Sequence, residues 1–389
     1  MPKRRHIAVL IETSRAYGRG LLRGVTNYVH TSGRWSVYLQ ERAPSDSIAP
    51  WFRDWQGDGV IARIENRAME RAILDKGLPA VDLRGLYDLN MPLIETDDRA
   101  VAELAYEHLA ERGFRHFAYC GFAGTNYSER RLKYFPPLAE AAGRDCHVYL
   151  APTPSREVEM TLSEQTALLF EAEMVRWLAD LPKPIGVMCC NDICGQQVLN
   201  ACREMGIRVP DEVAVIGVDN DTVHCELSDP PLSSVMPNTR RIGYLAAELL
   251  DRMIDGEPPG SNKIFIEPTG IVTRLSTDVL AIDDPDIIEA VRFIREHACE
   301  GINVDDVVKH VPLSRRVLER RFRAILDRSP NEEIVRMQIS RVKQLLTGTE
   351  LPLTSIAQSA GFKHVEYMST VFSKLTGAPP SRFRAETQR

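Results

Sequence analysis

The strongest constraint on the fold is a change of pattern near residue 275. Ahead of it short apolar runs alternate with amphipathic stretches, and beyond Arg274 no strand pattern survives. The runs HIAVLIE (6–12), WSVYLQ (35–40), GVIARI (59–64), AVDLRG (80–85), LIETD (93–97) and HFAYCG (116–121) read as strands. A second series follows with HVYLA (147–151), IGVMCCN (185–191) and VAVIGVDN (213–220). Between them lie helical patterns such as 98–112, with Val101, Leu104, Ala105, Tyr106 and Leu109, closed by Gly113. Such alternation predicts an α/β body whose parallel sheets carry helices on both faces, and the length suits two sheets. Ligands of open α/β sheets sit outside the carboxyl ends of the strands, so a cleft between two lobes is the expected site.

Several function classes are disfavoured by the same residues. No apolar run approaches the ~18 residues of a membrane span. The N-terminal run Ile7–Ile11 is shorter than the ~7–15 residues of a signal-peptide core, so a cytoplasmic protein with no membrane partner is expected. Eight cysteines at irregular spacing do not form a disulfide framework. Cys189, Cys190, Cys194 and Cys202 cluster without paired C-x-x-C units, so no metal site is expected. G-R-G-L-L-R-G (18–24) imitates a dinucleotide fingerprint. However, the strand ends near Glu12 and leaves Thr13–Tyr17 before the first glycine, where a pyrophosphate turn needs that glycine at the strand end. No Ser/His/Asp set or H-E-x-x-H accompanies the cleft. The expectation is therefore a non-enzyme without cofactor.

The last hundred residues are helical and basic. Residues 286–389 hold 17 Lys+Arg against 13 Asp+Glu, a net +4, while residues 1–285 hold 31 against 41, a net −10. That split points to a polyanion partner for the C-terminal part. After an acidic linker at 276–285, the stretch 286–299 is amphipathic and 304–311 makes a short helix. Ser314 is placed to N-cap the helix 314–326. Residues 304–326 thus form one helix-turn-helix whose second helix presents Ser314, Arg315, Arg316, Glu319 and Arg320 to DNA. A second unit spans 353–375, with Ala357 at the helix crossing, Gly361 in the turn, and Lys363, His364 and Glu366 at the mouth of its reading helix. The helix 331–347 between them is ~25 Å long and, with its end turns, can space two readers about one ~34 Å turn of the duplex apart.

These stretches carry two resemblances. IETDDRAVAELAYEHLAERGFRHFAYCG (94–121), VPDEVAVIGVDND (209–221) and PPLSSV (230–235) resemble the LacI-family ligand-binding domain, which shares its two-lobed fold with periplasmic sugar-binding proteins. The resemblance covers most of residues 5–275. The family's S-x-x-R-x-x-[GY]-F motif is met by Ser128, Arg131, Tyr134 and Phe135, which implies that Arg131 lies in the cleft. It likewise implies ligand contact for Asp219 and for Asn191–Asp192. Carboxylates accept from neighbouring hydroxyls, arginines donate to them and aromatic faces pack on C–H groups, so the candidate sugar contacts are Tyr17, Arg19, Arg131, Asp192 and Asp219. Trp51 and Tyr127 are further stacking candidates. Asp97 and Asp192 also stand where helix caps are expected.

The C-terminal stretches SRRVLERRF, DRSPNEEI, ISRVKQLL, SIAQSAGF and TGAPPSRFR resemble the AraC-family DNA-binding domain. They depart from it at Asp327, where glycine is usual, at Glu333–Ile334, which lack a common tyrosine, and in TVFSK, which lacks an arginine before the phenylalanine. A LacI-like sensor ahead of an AraC-like reader resembles the bacterial D-xylose operon activators. IREHACEGINVDDV (294–307), RLSTDVLAIDDP (274–285) and WQGDGVIA (55–62) carry that likeness. It implies a D-xylose-dependent transcription activator, the alternatives being another pentose or hexose as effector or action as a repressor. It further implies an operator duplex and RNA polymerase as partners, and a homodimer. Helix 18–30 is a candidate dimer face.

Overall fold

A computed structural model describes residues 4–32, 35–43, 46, 48, 50–152, 171–259, 262–278, 284–349 and 351–388. The chain divides into two compact units, Met1–Glu107 with Arg115–Asp278, and His108–Phe114 with Val279–Arg389.

The first unit contains two six-stranded sheets. One holds β1 (Arg5–Leu10), β2 (Trp35–Leu39), β3 (Gly59–Ala62), β4 (Ala80–Asp82), β5 (Leu93–Thr96) and β11 (Lys263–Ile266), in the order β11-β5-β4-β3-β1-β2 and parallel throughout. The other holds β6 (His116–Phe122), β7 (Cys146–Ala151), β8 (Ile185–Cys189), β9 (Val213–Val218), β10 (Ser233–Met236) and β12 (Gly270–Val272), in the order β12-β10-β9-β8-β6-β7. Only β12 runs antiparallel to its neighbour. The chain passes from one sheet to the other after β5, after β10 and after β11.

Period-two patterning decides the packing of the first sheet. Ile7 and Val9 face one core with Ile61, Val81 and Ile94, while Ala8 and Leu10 face another with Phe52, Val60 and Met69. Helix α1 (Ala16–Ser32) follows β1 and lies against the long helix Thr239–Ile254 that returns from β10. Its glycines are the reason the two backbones meet. A Cβ on Gly24 would stand 2.1 Å from the Arg240 carbonyl oxygen, and one on Gly243 would stand 2.0 Å from that of Leu21. The motif that imitates a dinucleotide turn is thus a helix–helix contact. Gly18, Gly20, Leu21, Gly24 and Val25 are buried within the chain, so a dimer contact through 18–30 would have to use the opposite side of the helix, where Arg23, Thr26, Asn27 and His30 are exposed.

The second unit is helical. Residues Pro285–His297, Val304–His310 and Arg315–Leu326 enclose one core around Val291, Val307, Leu318 and Phe322. Leu353–Ser359 and Val365–Thr376 enclose another around Ile356, Ala357, Met368 and Phe372. The helix Pro330–Gly348 supplies Ile334 to the first core and Ile339, Val342 and Leu346 to the second. Gln338 lies between them and donates to the carbonyls of Ala298 at 3.0 Å and Gly361 at 3.3 Å. Gly361 adopts φ +80°, and a Cβ there would meet the Ala298 carbonyl oxygen at 2.8 Å, so only glycine fits this turn.

The departures from the AraC-type pattern have definite places here. Asp327 ends the helix Arg315–Leu326 in the left-handed region at φ 56°, ψ 24°. A side chain in that conformation costs on the order of 1 kcal/mol that glycine avoids. Asp327→Gly is therefore expected to stabilise the helical unit by about 1 kcal/mol, read as a higher urea midpoint by circular dichroism at an unchanged slope. Glu333 is completely buried and accepts from Arg336 Nη2 at 2.7 Å and from Arg328 Nε at 2.5 Å.

Candidate functional site

The carboxyl ends of both sheets face a common cavity. From the first sheet come Arg15, Ala16 and Tyr17 beyond β1, Arg63 beyond β3, Arg84 beyond β4, and Glu95 and Thr96 at the end of β5. From the second come Tyr127 and Arg131 on the helix after β6, Asn191–Ile193 after β8, and Asp219, Asp221 and His224 after β9. Asp98 completes the wall. The topology places the site where the strand-end rule expects it.

Four of the five expected sugar contacts come together here. Arg131 is buried, donates from Nε to Asp98 Oδ1 at 2.8 Å and from Nη1 to the Cys190 carbonyl, and stands 5.4 Å from the Tyr127 ring centroid. Asp192 is buried and accepts from Ser234 Oγ at 2.6 Å and from the Asp221 amide at 2.7 Å. Burial, reinforced by the neighbouring Asp219, holds its carboxyl well above the usual carboxylate range. It is not a cap. The helix begins at Asp192, and Asn191 caps it by accepting from the Cys194 amide at 2.9 Å. Asp219 sits at φ 107°, a rarely populated region for a non-glycine residue of the kind concentrated at functional sites. Tyr17 shares a hydrogen bond with Thr96 Oγ1 at 2.9 Å, and Arg63 stands 4.8 Å from its ring centroid. Its phenol is pushed up to about 12 by burial and by Glu95.

Arg19 is the exception. Its Nη1 donates to the carbonyls of Thr13 at 3.0 Å and Ser14 at 2.7 Å, and it does not line the cavity. Trp51 is absent from the wall as well, its indole donating to Gln40 Oε1 at 3.0 Å within an aromatic group of Tyr38, Phe52 and Trp55. Asp97 caps the following helix, accepting from the amides of Arg99 at 2.9 Å and Ala100 at 3.1 Å. Of the wall residues that the sequence reading missed, Arg63, Arg84, Glu95, Thr96 and Asp98 stand at or just past a strand end, while Arg15, Asp221 and His224 lie farther on. The strand-end rule, applied residue by residue, was the available signal.

The helical unit presents two concave surfaces. One is lined by Arg315, Arg316, Glu319, Arg320 and Arg323, and the other by Gln358, Phe362, Lys363, His364 and Glu366. Ser314 is the N-cap residue of its helix by backbone position, but its hydroxyl makes no capping bond. Arg315 is engaged within the chain, with Glu319 at 3.0 Å and Asp305 at 2.8 Å. Arg316 and Arg320 are exposed on the same helix. Among the described residues no His/Cys/Asp/Glu cluster could hold a metal ion, and no helix is long and apolar enough to cross a membrane.

The comparisons agree along the whole chain. An XylR N-terminal domain matches residues 6–97, a periplasmic binding protein-like domain matches 106–277, and a helix-turn-helix domain matches 307–386. The xylose operon regulatory protein of Escherichia coli K12 is 32% identical over 98% of this chain and 97% of its own length. This chain belongs to the xylose operon regulator family. The family's protein from Haemophilus influenzae is 30% identical over 97% of each chain. A solved structure of the xylose-binding transcription activator xylR is 31% identical, with a TM-score of 0.62 over 99% of this chain and 98% of that one. A cellobiose complex of the transcriptional regulator CelR, 22% identical with a TM-score of 0.55 over 71% of this chain and 86% of its own, shares the fold of the sensor part. As a xylose operon regulator family member, the protein is a sugar-responsive, DNA-binding transcription regulator. It has a two-lobed binding-protein-like α/β sensor and an AraC-type helix-turn-helix domain.

Proposed function

We propose that the protein is a cytoplasmic D-xylose-dependent activator that works as a homodimer, recruits RNA polymerase and catalyses no reaction. The observation that carries the reading is the cavity wall itself. Carboxyl groups (Asp192, Asp219), a guanidinium (Arg131) and aromatic faces (Tyr17, Tyr127) converge there in a chain that resembles xylose operon regulators end to end. That donor set suits a neutral polyol: carboxylates accept from adjacent hydroxyls, the guanidinium donates, and the rings cover C–H faces. In this reading the sensor ends near residue 275 and the reader begins near 286. Sugar acts through its differential affinity for two lobe arrangements, one of which aligns the two reading helices on the operator.

Calorimetric titration with D-xylose, L-arabinose, D-ribose and D-glucose tests the effector. Saturable binding of xylose alone supports the assignment, and binding of another sugar instead would transfer the regulator to that sugar. Arg316→Ala and Arg320→Ala test the reader. A base contact costs about 1–3 kcal/mol at one operator position, whereas a phosphate contact weakens binding to all sequences alike and flattens the salt dependence. Sugar affinity stays unchanged in either case, and unaltered operator affinity in both variants would remove this helix from the DNA interface.

A further inference from the structure

The cavity is braced by a residue that does not line it. Arg130 lies beside Arg131 on the helix Asn126–Ala141 of the second lobe. Its side chain crosses to the first lobe, where Nη1 pairs with Glu95 Oε2 and Nη2 lies 3.4 Å from Glu95 Oε1. The same Nη2 donates to the carbonyls of Arg84 at 3.3 Å and Gly85 at 3.4 Å. Asn126, one turn earlier, adds Nδ2 donation to those two carbonyls at 3.1 Å and 3.4 Å. Two side chains of one lobe therefore hold one short segment and one carboxylate of the other. Glu95 and Arg84 both form part of the cavity wall.

We propose that Arg130 is a positioning residue of the sugar site, holding the Glu95 carboxyl in the wall and, with Asn126, setting the lobe spacing at which the site is complete. The proposal rests on the reading of the cavity as a sugar site. The surroundings of Glu95 show why the ion pair is needed. The carboxylate is buried, and burial pushes it up to about 7 against the pull of Arg130. Asp98, itself 3.8 Å from Arg130, pushes the same way as burial, while Arg84 opposes it. Arg63 and the Tyr17 phenol are the other ionisable groups that face it. Removing Arg130 leaves burial and Asp98 weakly opposed, so Glu95 takes up a proton at neutral pH and ceases to be a pure acceptor.

The test uses the full chain as parent, Arg130→Gln, Arg130→Lys and Glu95→Gln, each titrated with D-xylose from pH 6 to 8.5. The parent's affinity is expected to rise with pH through about 7. Arg130→Gln is expected to bind about tenfold more weakly at pH 7 with its midpoint moved to higher pH, Arg130→Lys to recover most of both, and Glu95→Gln to lose the pH dependence. Deuterium uptake without sugar is expected to rise in Arg130→Gln at residues 82–87 and 126–131 only. A midpoint in Arg130→Gln equal to the parent's overturns the proposal, whatever happens to the affinity. If the parent itself binds no xylose, the effector reading fails. The uptake comparison then decides alone, and equal uptake in parent and Arg130→Gln overturns the brace.

Discussion

Glu333→Ala is expected to destabilise the helical unit by about 3 kcal/mol. Truncating one partner of a buried ion pair costs roughly 3–5 kcal/mol because the opposite charge is left without compensation. The lower figure applies because the two arginines that Glu333 binds are not fully enclosed, Arg328 keeping 15% and Arg336 27% of its side chain exposed. The measurement can be made on the whole protein. All four tryptophans, Trp35, Trp51, Trp55 and Trp177, lie ahead of residue 278, so fluorescence follows the sensor while circular dichroism follows both units. The variant is expected to lower the dichroism midpoint in urea and leave the fluorescence midpoint in place. Coincident shifts of both would show that the loss is not local to the helical unit. The same carboxylate sets an acid limit. Burial alone would raise its pKa, but Arg336 and Arg328 hold it at about 2. Because the folded value lies below the unfolded one, near 4.3 for a free glutamate, its contribution is complete above that value. It fades as pH falls toward 2. Glu333→Ala is expected to lack this part of the acid transition.

The second large effect is on sugar response. With Asp219 read as an acceptor for sugar hydroxyls, Asp219→Ala is expected to weaken sugar binding by about 3 kcal/mol, roughly a hundredfold in Kd. Operator affinity without sugar is expected to stay at the parent level. Asp219→Asn is the companion variant. Asparagine tolerates positive φ as well as aspartate does, so it removes the charge while keeping the strained backbone at φ 107°. Equal loss of sugar and operator binding in both variants would mean that Asp219 maintains the fold.

The distribution of what could be read from the sequence follows from physics at particular residues. Long apolar strands such as Val213–Val218 were legible because a central parallel strand is buried on both faces. The strands Ser233–Met236, Lys263–Ile266 and Gly270–Val272 were not read as strands, although Gly59–Ala62 and Ala80–Asp82 are as short and were. The latter two are buried throughout, whereas Lys263–Ile266 and Gly270–Val272 bury no residue fully and Ser233–Met236 opens on two serines. Both serines are buried, with Ser233 bonded to Thr277 and Ser234 to Asp192. The helices of the C-terminal unit as far as Val365–Thr376 were legible nearly to the residue, since each shows one apolar stripe and a clear stop, whereas the terminal Pro380–Gln388 was not read as a helix. In the cavity, the residues standing in recognisable motifs, Arg131 and Asp219, were found. Arg19 was chosen as a cation near the first strand, yet its neighbouring carbonyls claim it. Arg63 and Glu12, which form a buried pair, were invisible because a charge inside a strand-end run announces no partner until the fold brings one. Glu333 was noticed only as a missing tyrosine, for the same reason.

The three passages of the chain between the two sheets bear on how such a regulator changes over generations. Neither lobe is a continuous stretch of sequence, so exchanging one lobe for a homologous one would require three junctions to be remade at once. The two lobes are therefore inherited together, and either one adapts to a new ligand by substitution within its walls rather than by exchange.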